Sequence, residues 1–166
     1  MSLKIHPPTI VIRKAVKENA ADIQKILRIS FNDYMKASGI SSPLEAMLEG
    51  IEDIESDIAN KDVDVFVACL EEAPIGTVRV TLLNSDAAIL MRFGVISDYQ
   101  KMGIGASLLQ AVEKSVQAKN VKTLQLYTAA KNTALMKFYY DNSFYVDALT
   151  KDRGYTRVLM IKQMTE

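Results

Sequence analysis

The segment from Gln100 to Ala106 has the residue types and spacing to bind an anion. Its two glycines, Gly103 and Gly105, fall where a strand-like pattern passes into a helical one. Two missing Cβ atoms at a helix start let the unpaired backbone amides of the first turn close on an anion, and the helix dipole adds a favourable potential. Pyrophosphate is a natural ligand for such a loop. The same glycines also ease a tight turn that binds nothing, and for this pattern alone the turn is the simpler interpretation.

Two better-known phosphate-binding patterns are missing from the sequence. A dinucleotide-binding loop needs a third glycine three residues after Gly105, where this chain has Leu108, and it follows the first strand of its domain rather than a late one. A nucleoside-triphosphatase loop needs Gly-Lys followed by Ser or Thr, and no such run occurs. Dinucleotide and NTPase chemistry are therefore disfavoured.

The composition argues against several other classes of protein. One cysteine, Cys69, and one histidine, His6, cannot assemble a structural zinc site, a disulfide framework or a Ser-His-Asp triad within one chain, so we predict no metal site. The 20 basic and 20 acidic residues cancel, which argues against binding to nucleic acid or to anionic membranes. No apolar run reaches the roughly 18 residues that span a bilayer, so we expect a cytoplasmic protein.

Hydrophobic periodicity predicts the elements that must position the glycine loop. A β-branched run predicts a strand at 9–15, and alternation predicts strands at 63–67 and 78–82 with a turn at Pro74 to Gly76 between them. A nearly all-apolar run predicts a further strand at 87–95 that is buried on both faces. Helical spacing predicts one helix ending near Gly39 and a second running from Leu44 to Ile58. After the loop come a helix from Ile104, a strand at 122–128, a helix at 132–142 and two final strands.

The predicted order is therefore β-α-α-β-β-β-α-β-α-β-β. It describes one mixed α/β domain (α+β, with a mixed sheet) over residues 9–166, preceded by an N-terminal tail at residues 1–8 that contains His6. The glycine loop lies between the fourth strand and the helix that follows it.

Two segments of the chain resemble the GNAT N-acetyltransferase superfamily. Residues 95–109 resemble the family's acetyl-CoA loop, whose core is Gln or Arg, two residues, Gly, one residue, and Gly or Ala; here that core runs from Gln100 to Gly105. Residues 132–144 are similar to a later family segment, in which Asn precedes a helix, Tyr follows seven residues on and Gly-Phe closes it. Asn132, Tyr139 and Phe144 match those positions. The resemblance spans residues 9–164, and the predicted element order agrees with it.

The resemblance implies an acetyl-CoA-dependent N-acetyltransferase that acetylates a primary amine of a small molecule or peptide by direct transfer in a ternary complex. It assigns cofactor contacts to main-chain groups of the preceding strand, to amides of the loop and to an asparagine opposite: Phe93, Val95, Gln100, Lys101, Met102, Gly103, Ile104, Gly105, Ala106 and Asn132. It assigns to Tyr139 the protonation of the departing CoA thiolate, which suits a phenol with a pKa near 10. Helical spacing alone favours a packed core aromatic at Tyr139.

The chain departs from the family pattern in one way that bears on the chemistry. Many members place a glutamate on the strand before the loop, whereas Ala87–Val95 contains Arg92 as its one ionisable group, so we assign no general base. Replacement of the usual proline, arginine and glycine by Ser97, Gln100 and Ser143 leaves the cofactor assignment standing. The missing carboxylate favours a second hypothesis, a non-catalytic acyl-CoA-binding sensor or interaction module of the same fold. The acceptor and the oligomeric state stay open, with a homodimer as one option.

One further segment bears on the acceptor. Between Leu44 and Asn60 the chain has six acidic residues and no basic one: Glu45, Glu49, Glu52, Asp53, Glu55 and Asp57. The region after the first strand often forms one wall of the acceptor cleft in the GNAT family, so an acidic wall could attract a cationic amine. The solvent-facing side of an amphipathic helix explains the same pattern and is the simpler interpretation.

Overall fold

Seven strands form one sheet in the computed structural model, which describes Leu3 and residues 8–164. The strands are β1 Ile10–Lys14, β2 Val63–Leu70, β3 Ala73–Leu82, β4 Ala87–Val95, β5 Thr123–Ala129, β6 Tyr145–Thr150 and β7 Arg157–Gln163. Their order across the sheet is β1-β2-β3-β4-β5-β7-β6, and every neighbouring pair is antiparallel except β4 with β5. The predicted mixed α/β fold is confirmed. His6 and most of the predicted tail at 1–8 lie outside the described residues.

Five α-helices pack against the sheet in the described part of the chain. They are α1 Ala20–Ser38, α2 Glu45–Leu48, α3 Ile51–Ala59, α4 Ile104–Ala118 and α5 Thr133–Asp141. The predicted end of the first helix is confirmed, because Gly39 follows α1 with a left-handed φ of 66° that favours glycine. A short 3₁₀ turn at Ser97–Met102 leads from β4 towards α4.

The core lies on both sides of the sheet because the residues of β2 alternate between two apolar clusters. Val65 and Val67 pack with Leu27 of α1 and Ile54 of α3. Phe66 and Ala68 belong to the larger cluster, which also contains the apolar face of α4: Ile104, Leu108, Leu109, Val112 and Val116. Successive strand residues point to opposite faces, so a strand covered on both sides reads as a continuous apolar run. The Val63–Leu70 segment has that character.

The helix predicted from Leu44 to Ile58 is wrong as a single element, because the chain breaks between α2 and α3. Glu49 has extended backbone angles, with φ −65° and ψ 130°, and the next residue is Gly50. The Gly50 amide donates to the Asp53 carboxylate at 2.9 Å, so a new helix begins there with its own side-chain cap. Glycine is also a poor residue for a helix interior.

The turn predicted at Pro74 to Gly76 is also wrong, since those residues lie within β3. The reversal is a two-residue turn at Glu71 and Glu72, whose φ angles are 48° and 72°. It joins the paired residues Leu70 and Ala73. Pairing shifts by one residue between Ala68 and Cys69, which accommodates Pro74, a residue that has no amide to donate.

Candidate active site

The strands β4 and β5 separate after three residue pairs and leave a wedge in the middle of the sheet. They are paired only from Ala87 to Ile89 on β4, opposite Thr123 to Gln125 on β5. From Leu90 onwards β4 keeps its antiparallel partner β3 but has no strand partner on the other side in the described chain. The backbone groups on that edge are therefore available to a ligand, because buried amides and carbonyls need partners.

A bulge in β4 stands at the wedge. Two β4 residues, Arg92 and Phe93, oppose the single residue Val78 of β3, and Arg92 has a φ of 53°. The strand was predicted to be buried on both faces, which is correct for Ala88, Leu90, Gly94 and Val95 but wrong for its other five residues, which are half-buried. The stretch from Met91 to Phe93 is only half-buried because the bulge and the wedge expose it.

Helix α1 closes one side of the wedge by a close approach to β4. A Cβ atom on Gly94 would lie 2.1 Å from Oγ and 2.8 Å from Cβ of Ser30. The Ser30 hydroxyl donates to the Ile26 carbonyl at 2.8 Å, so it is held within its own helix. The absence of a side chain at Gly94 is what allows α1 to lie this close.

Two cavities open at the wedge and meet there. The first, about 500 Å³, we call the loop-side cavity; it is lined by Ser30, Asp33, Tyr34, Ala37, Phe93, Gly94, Val95, Gln100, Gly105, Asn132, Ala134, Leu135 and Phe138. The second, about 480 Å³, we call the arginine-side cavity; it extends to Arg92, Arg153 and Arg157. Both cavities are lined by Tyr34, Phe93 and Leu135. A molecule in one cavity can therefore contact a molecule in the other.

Half of the ten residues to which cofactor binding was assigned line the loop-side cavity. These are Phe93, Val95, Gln100, Gly105 and Asn132. The others do not line it: Lys101, Met102, Gly103 and Ala106 are exposed, and the Ile104 side chain is buried in the core beneath α4. Their assigned role concerns backbone amides rather than side chains, and it stays a prediction.

The start of α4 fits an anionic group. Gly103 has a φ of 76°, which favours glycine, and a Cβ atom there would have no neighbour within 4 Å. A Cβ atom on Gly105 would make ordinary contacts, at 3.7–3.8 Å, with the rings of Phe93 and Phe138 on the cavity wall. The space before the first turn of this 15-residue helix is thus open, and its unpaired amides and dipole favour negative charge.

Two side-chain amides stabilise the walls of the loop-side cavity. The Gln100 side chain donates to the Val95 carbonyl at 3.1 Å, which holds the 3₁₀ turn against the end of β4. Asn132 caps α5 by accepting from the Leu135 amide at 3.2 Å. Its own amide group donates to the Ser38 hydroxyl at 3.3 Å. Asn132 therefore links α5 to the end of α1 across the cavity.

Tyr139 lies on α5 in an aromatic cluster and lines the arginine-side cavity. Its ring packs edge-on against Phe138 and Phe144, with centroids 5.4 and 5.6 Å away, and the residue is 4% exposed. Burial, and to a smaller degree the charge of nearby Tyr34, raise the pKa of Tyr139 above its ordinary value of 10. Its hydroxyl bonds to no other described residue. The phenol is therefore a proton donor over the whole neutral range.

Tyr34 of α1 is a second phenol at the junction of the two cavities. Its hydroxyl accepts a hydrogen bond from the Ala129 amide, at 2.7 Å, at the end of β5. This bond uses an oxygen lone pair and leaves the phenol proton free to donate. Helical spacing places Tyr34 in line with Phe31, and no sequence signal indicated that α1 would cross the wedge at this point.

The acidic wall that the segment from Leu44 to Asn60 could form stays a prediction. Four of its carboxylates line a third cavity together with Arg92: Glu45, Glu49, Asp53 and Asp57. Most carboxylates of the segment also have partners. The buried guanidinium of Arg79 bonds to both Glu49 and Asp57. The remaining pairs are Glu45 with Arg153, Glu55 with Lys17, and Asp53 with the Gly50 amide. The basic partners come from distant parts of the chain, so the run of acidic residues did not reveal them.

Neither a metal-binding cluster nor a membrane-spanning helix occurs in the described part of the chain. Leu3 and residues 8–164 contain no group of three or more His, Cys, Asp or Glu side chains that could hold a metal ion. None of the helices in that part of the chain is both long and apolar enough to cross a membrane.

Known structures share this fold over nearly the whole chain. PaiA N-acetyltransferase from Thermoplasma acidophilum, solved in complex with coenzyme A, is 24% identical, with a TM-score of 0.81 over 93% of this chain and 99% of that one. A GNAT-family acetyltransferase from Staphylococcus aureus is 17% identical, with a TM-score of 0.76 over 95% and 100%. Aminoglycoside 6'-acetyltransferase type Ii is 16% identical, with a TM-score of 0.74 over 94% and 98%.

The sequence itself matches a family model described as the acetyltransferase (GNAT) family, over residues 25–144. That segment runs from within α1 to the end of the α5 region, so it contains the glycine loop, the wedge and every residue that lines the loop-side cavity. The match covers well over half of the chain and agrees with the resemblance first noted at residues 95–109 and 132–144. The chain therefore belongs to the GNAT acetyltransferase family.

Proposed function

We propose that this protein is an acetyl-CoA-dependent N-acetyltransferase that acetylates a primary amine by direct transfer in a ternary complex. The observation that carries the proposal is the pair of cavities that meet at Tyr34, Phe93 and Leu135 beside the unpaired edge of β4. Two substrates bound on either side of this junction are held together, which removes much of the entropic barrier to transfer.

The loop-side cavity is the place for acetyl-CoA. The amides at the start of α4 would hold the pyrophosphate, and the edge of β4 near Phe93 and Val95 would hold the pantetheine arm. Gly105 leaves room for the phosphates, and Asn132 would contact the cofactor from the opposite wall. The thioester supplies an activated acetyl group at the junction of the two cavities.

Transfer proceeds by attack of the neutral amine on the thioester carbon. A carbon–nitrogen bond forms, the carbon–sulfur bond breaks, and the thiolate takes a proton from the Tyr139 hydroxyl. The acetylated nitrogen releases its extra proton to solvent water, from which Tyr139 is protonated again. Backbone donors of the β4 edge stabilise the negative charge that develops on the carbonyl oxygen. Glu45 and Asp152, the two carboxylates lining the arginine-side cavity, are each paired with an arginine, so we assign no general base.

Two measurements test this proposal in sequence. Acetyl-CoA should raise the melting temperature of the protein, because a ligand that binds only the folded state stabilises it. Thiol release from acetyl-CoA should then depend on an added amine, across a panel of amino acids, polyamines, aminoglycosides and peptides.

The outcomes separate the competing hypotheses. A melting-temperature increase without amine-dependent thiol release at any pH would favour the non-catalytic acyl-CoA sensor. The absence of any shift with acetyl-CoA would contradict both, and would leave the glycines of the loop as a plain turn.

A further inference from the structure

We propose that the acceptor is an amine that also carries a carboxylate, on an apolar body such as that of an amino acid with an apolar side chain, and that Arg92 binds the carboxylate. This inference rests on the proposed function and names the substrate class for it. Its site is the arginine-side cavity, where the charge, the hydrogen-bonding groups and the apolar lining each favour this class.

Basic side chains outnumber acidic ones in the lining of the arginine-side cavity. Three arginines, Arg92, Arg153 and Arg157, face two carboxylates, Glu45 and Asp152. Arg153 pairs with Glu45 at 2.9 Å, and Arg157 pairs with Asp152 at 3.0 Å. Arg92 has no carboxylate partner among the residues that line the cavity. A polycationic acceptor would bring like charges together here, which is unfavourable.

One nitrogen of the Arg92 guanidinium is hydrogen-bonded within the protein, and its other nitrogens can donate to a ligand. Its Nε donates to Glu49 at 3.3 Å, and Glu49 also bonds to Arg79, whose side chain is 1% exposed. Asp57 bonds to Arg79 as well, so the two acidic groups are shared mainly with the buried arginine. The two terminal nitrogens of Arg92 bond to no described residue, and the side chain is 22% exposed. A planar guanidinium of this kind matches the two oxygens of a carboxylate.

Orphaned polar atoms in the same cavity also point to a ligand. The Thr128 hydroxyl lies in a residue that is only 2% exposed, and it bonds to no other described residue. The Nε of Arg157 is also buried and also bonds to no other described residue. Buried polar groups are normally satisfied, so an unpaired hydroxyl beside a cavity is explained by a ligand or a water that completes it. Thr128 can accept from an amine or donate to a carboxylate.

The rest of the cavity lining favours an acceptor with an apolar side chain. The apolar side chains that face the cavity come from α1, the α2 region, β4 and α5: Phe31, Leu44, Ile89, Met91 and Leu135. They form a surface on which an apolar side chain can be buried, while Arg92 holds the carboxylate. A small apolar amino acid has this combination of an amine, an adjacent carboxylate and an apolar side chain.

Matched substrates test the inference in the wild-type protein. Each amino acid is compared with its amide and with the amine lacking the carboxyl group: L-leucine with L-leucinamide and isoamylamine, and L-phenylalanine with L-phenylalaninamide and phenethylamine. We expect kcat/KM, corrected for the fraction of neutral amine, to be about tenfold to a hundredfold higher for the carboxylate, as one charge-assisted pair predicts. Equal or higher values for the amides, or for spermidine, would overturn the inference.

Substitution of Arg92 tests the residue. Arg92→Gln should lower kcat/KM for leucine at least tenfold more than kcat/KM for leucinamide, so that the preference for leucine is lost; Arg92→Lys should keep part of the preference. If Arg92 had only a structural role, the substitution would lower kcat/KM equally for both substrates, and that result would refute the assignment. Arg28→Gln is the matched control, because Arg28 is exposed on α1 and lines neither cavity.

A binding measurement separates this inference from the proposed function. Calorimetric titration of the CoA-saturated protein with N-acetyl-L-leucine and N-acetyl-L-leucinamide requires no transfer, and we expect the carboxylate to bind at least tenfold more tightly. Such a preference without acetylation of any amine would support the carboxylate site and contradict the transferase. Acetylation of amines without any preference for the carboxylate, in rate or in binding, would support the transferase and contradict the site.

Discussion

At the scale of single residues, the candidate chemistry depends on Tyr139 and on what surrounds it. Its ring is part of an aromatic cluster with Phe138 and Phe144, so the residue also stabilises the core. A phenol with the ordinary pKa of 10 is already protonated at neutral pH, and burial raises the pKa of Tyr139 further, which holds the proton on the phenol but makes it a weaker acid towards the thiolate. Tyr139 therefore has both a packing role and a proposed chemical role. A substitution that removes only its hydroxyl separates the two.

Tyr139→Phe should lower kcat about a hundredfold while the affinity for acetyl-CoA stays unchanged, because the ring remains and only the proton donor is lost. Steady-state kinetics and calorimetric titration measure the two effects. Since the pKa of Tyr139 lies above 10, we also expect no loss of activity from its ionisation below pH 10. Tyr140→Phe, at an adjacent residue that is 50% exposed, is the matched control. Equal activity of the Tyr139 variant would leave Tyr34, the other phenol at the junction, as the candidate acid.

Gly105→Ala tests the loop in the same way. The new methyl group has only ordinary contacts with the protein, and alanine favours a helix, so the free energy of unfolding should stay the same or rise by about 0.5–1 kcal/mol. The affinity for CoA should nevertheless fall, because the methyl group occupies space before the first turn of α4. Chemical denaturation and calorimetric titration measure the two effects. Unchanged CoA affinity would place the pyrophosphate elsewhere.

At the scale of elements, the wedge exists because α1 can lie directly against β4. That approach depends on one pair of small residues, Gly94 and Ser30. The break between α2 and α3 has a comparable role, because it places Glu49 where it bonds to both Arg79 and Arg92. Glu49 thus links the acidic segment to β3 and β4, while Glu45, Glu52 and Asp53 face the solvent.

Gly94→Ala should destabilise the protein by about 1–3 kcal/mol, because its Cβ would overlap Ser30 and force α1 away from β4. Urea denaturation measures the loss, with Gly105→Ala as a control in which the added methyl group fits. Adding Ser30→Gly removes both overlapping atoms, so the double variant should recover part of the stability. A Gly94→Ala protein as stable as the wild type would contradict the close packing of α1 on β4.

At the scale of the whole molecule, one buried carboxylate joins three elements on the face of the sheet that α4 covers. Asp64 of β2 bonds to Lys14 of β1 at 3.0 Å, to Lys119 beyond α4 at 2.8 Å, and to the hydroxyl of Ser115. Burial alone would raise its pKa, but the bonds to Lys119, Ser115 and Lys14 outweigh burial and lower it from 3.8 to about 2.

The free energy of unfolding should therefore depend on Asp64 in acid. Because the folded pKa is the lower one, its contribution is complete above about pH 4 and is lost as the pH falls towards 2. We expect Asp64→Asn to cost about 1–2 kcal/mol at pH 7, after allowance for screening of the exposed lysines, and to cost less at pH 2.5. Urea denaturation at the two pH values measures this. The same cost at both pH values would contradict the low pKa of the folded state.

Local patterns in the sequence were enough to predict most of the fold. The seven strands and the helices α1, α4 and α5 follow from apolar periodicity, and the segments at 95–109 and 132–144 identify the family. The failures, at Glu49–Gly50 and at Glu71–Glu72, occur where a non-local partner or a bulge overrides local preference. Pro74 indicated a turn, but it lies within β3, because the pairing of β2 with β3 shifts by one residue next to it.

What the sequence by itself determined is the element order, the family and the glycine loop, because these depend on residues close together in the chain. Only the tertiary structure decided that Arg92, Thr128 and Tyr139 share a cavity and that Tyr34 joins the two cavities. It also decided which basic residues, Arg79 and Arg153, pair with carboxylates of the acidic segment. These residues are far apart in the chain, so their contacts depend on helix packing and strand register. Packing and register are properties of the folded sheet, including the wedge between β4 and β5, and not of any local stretch of sequence.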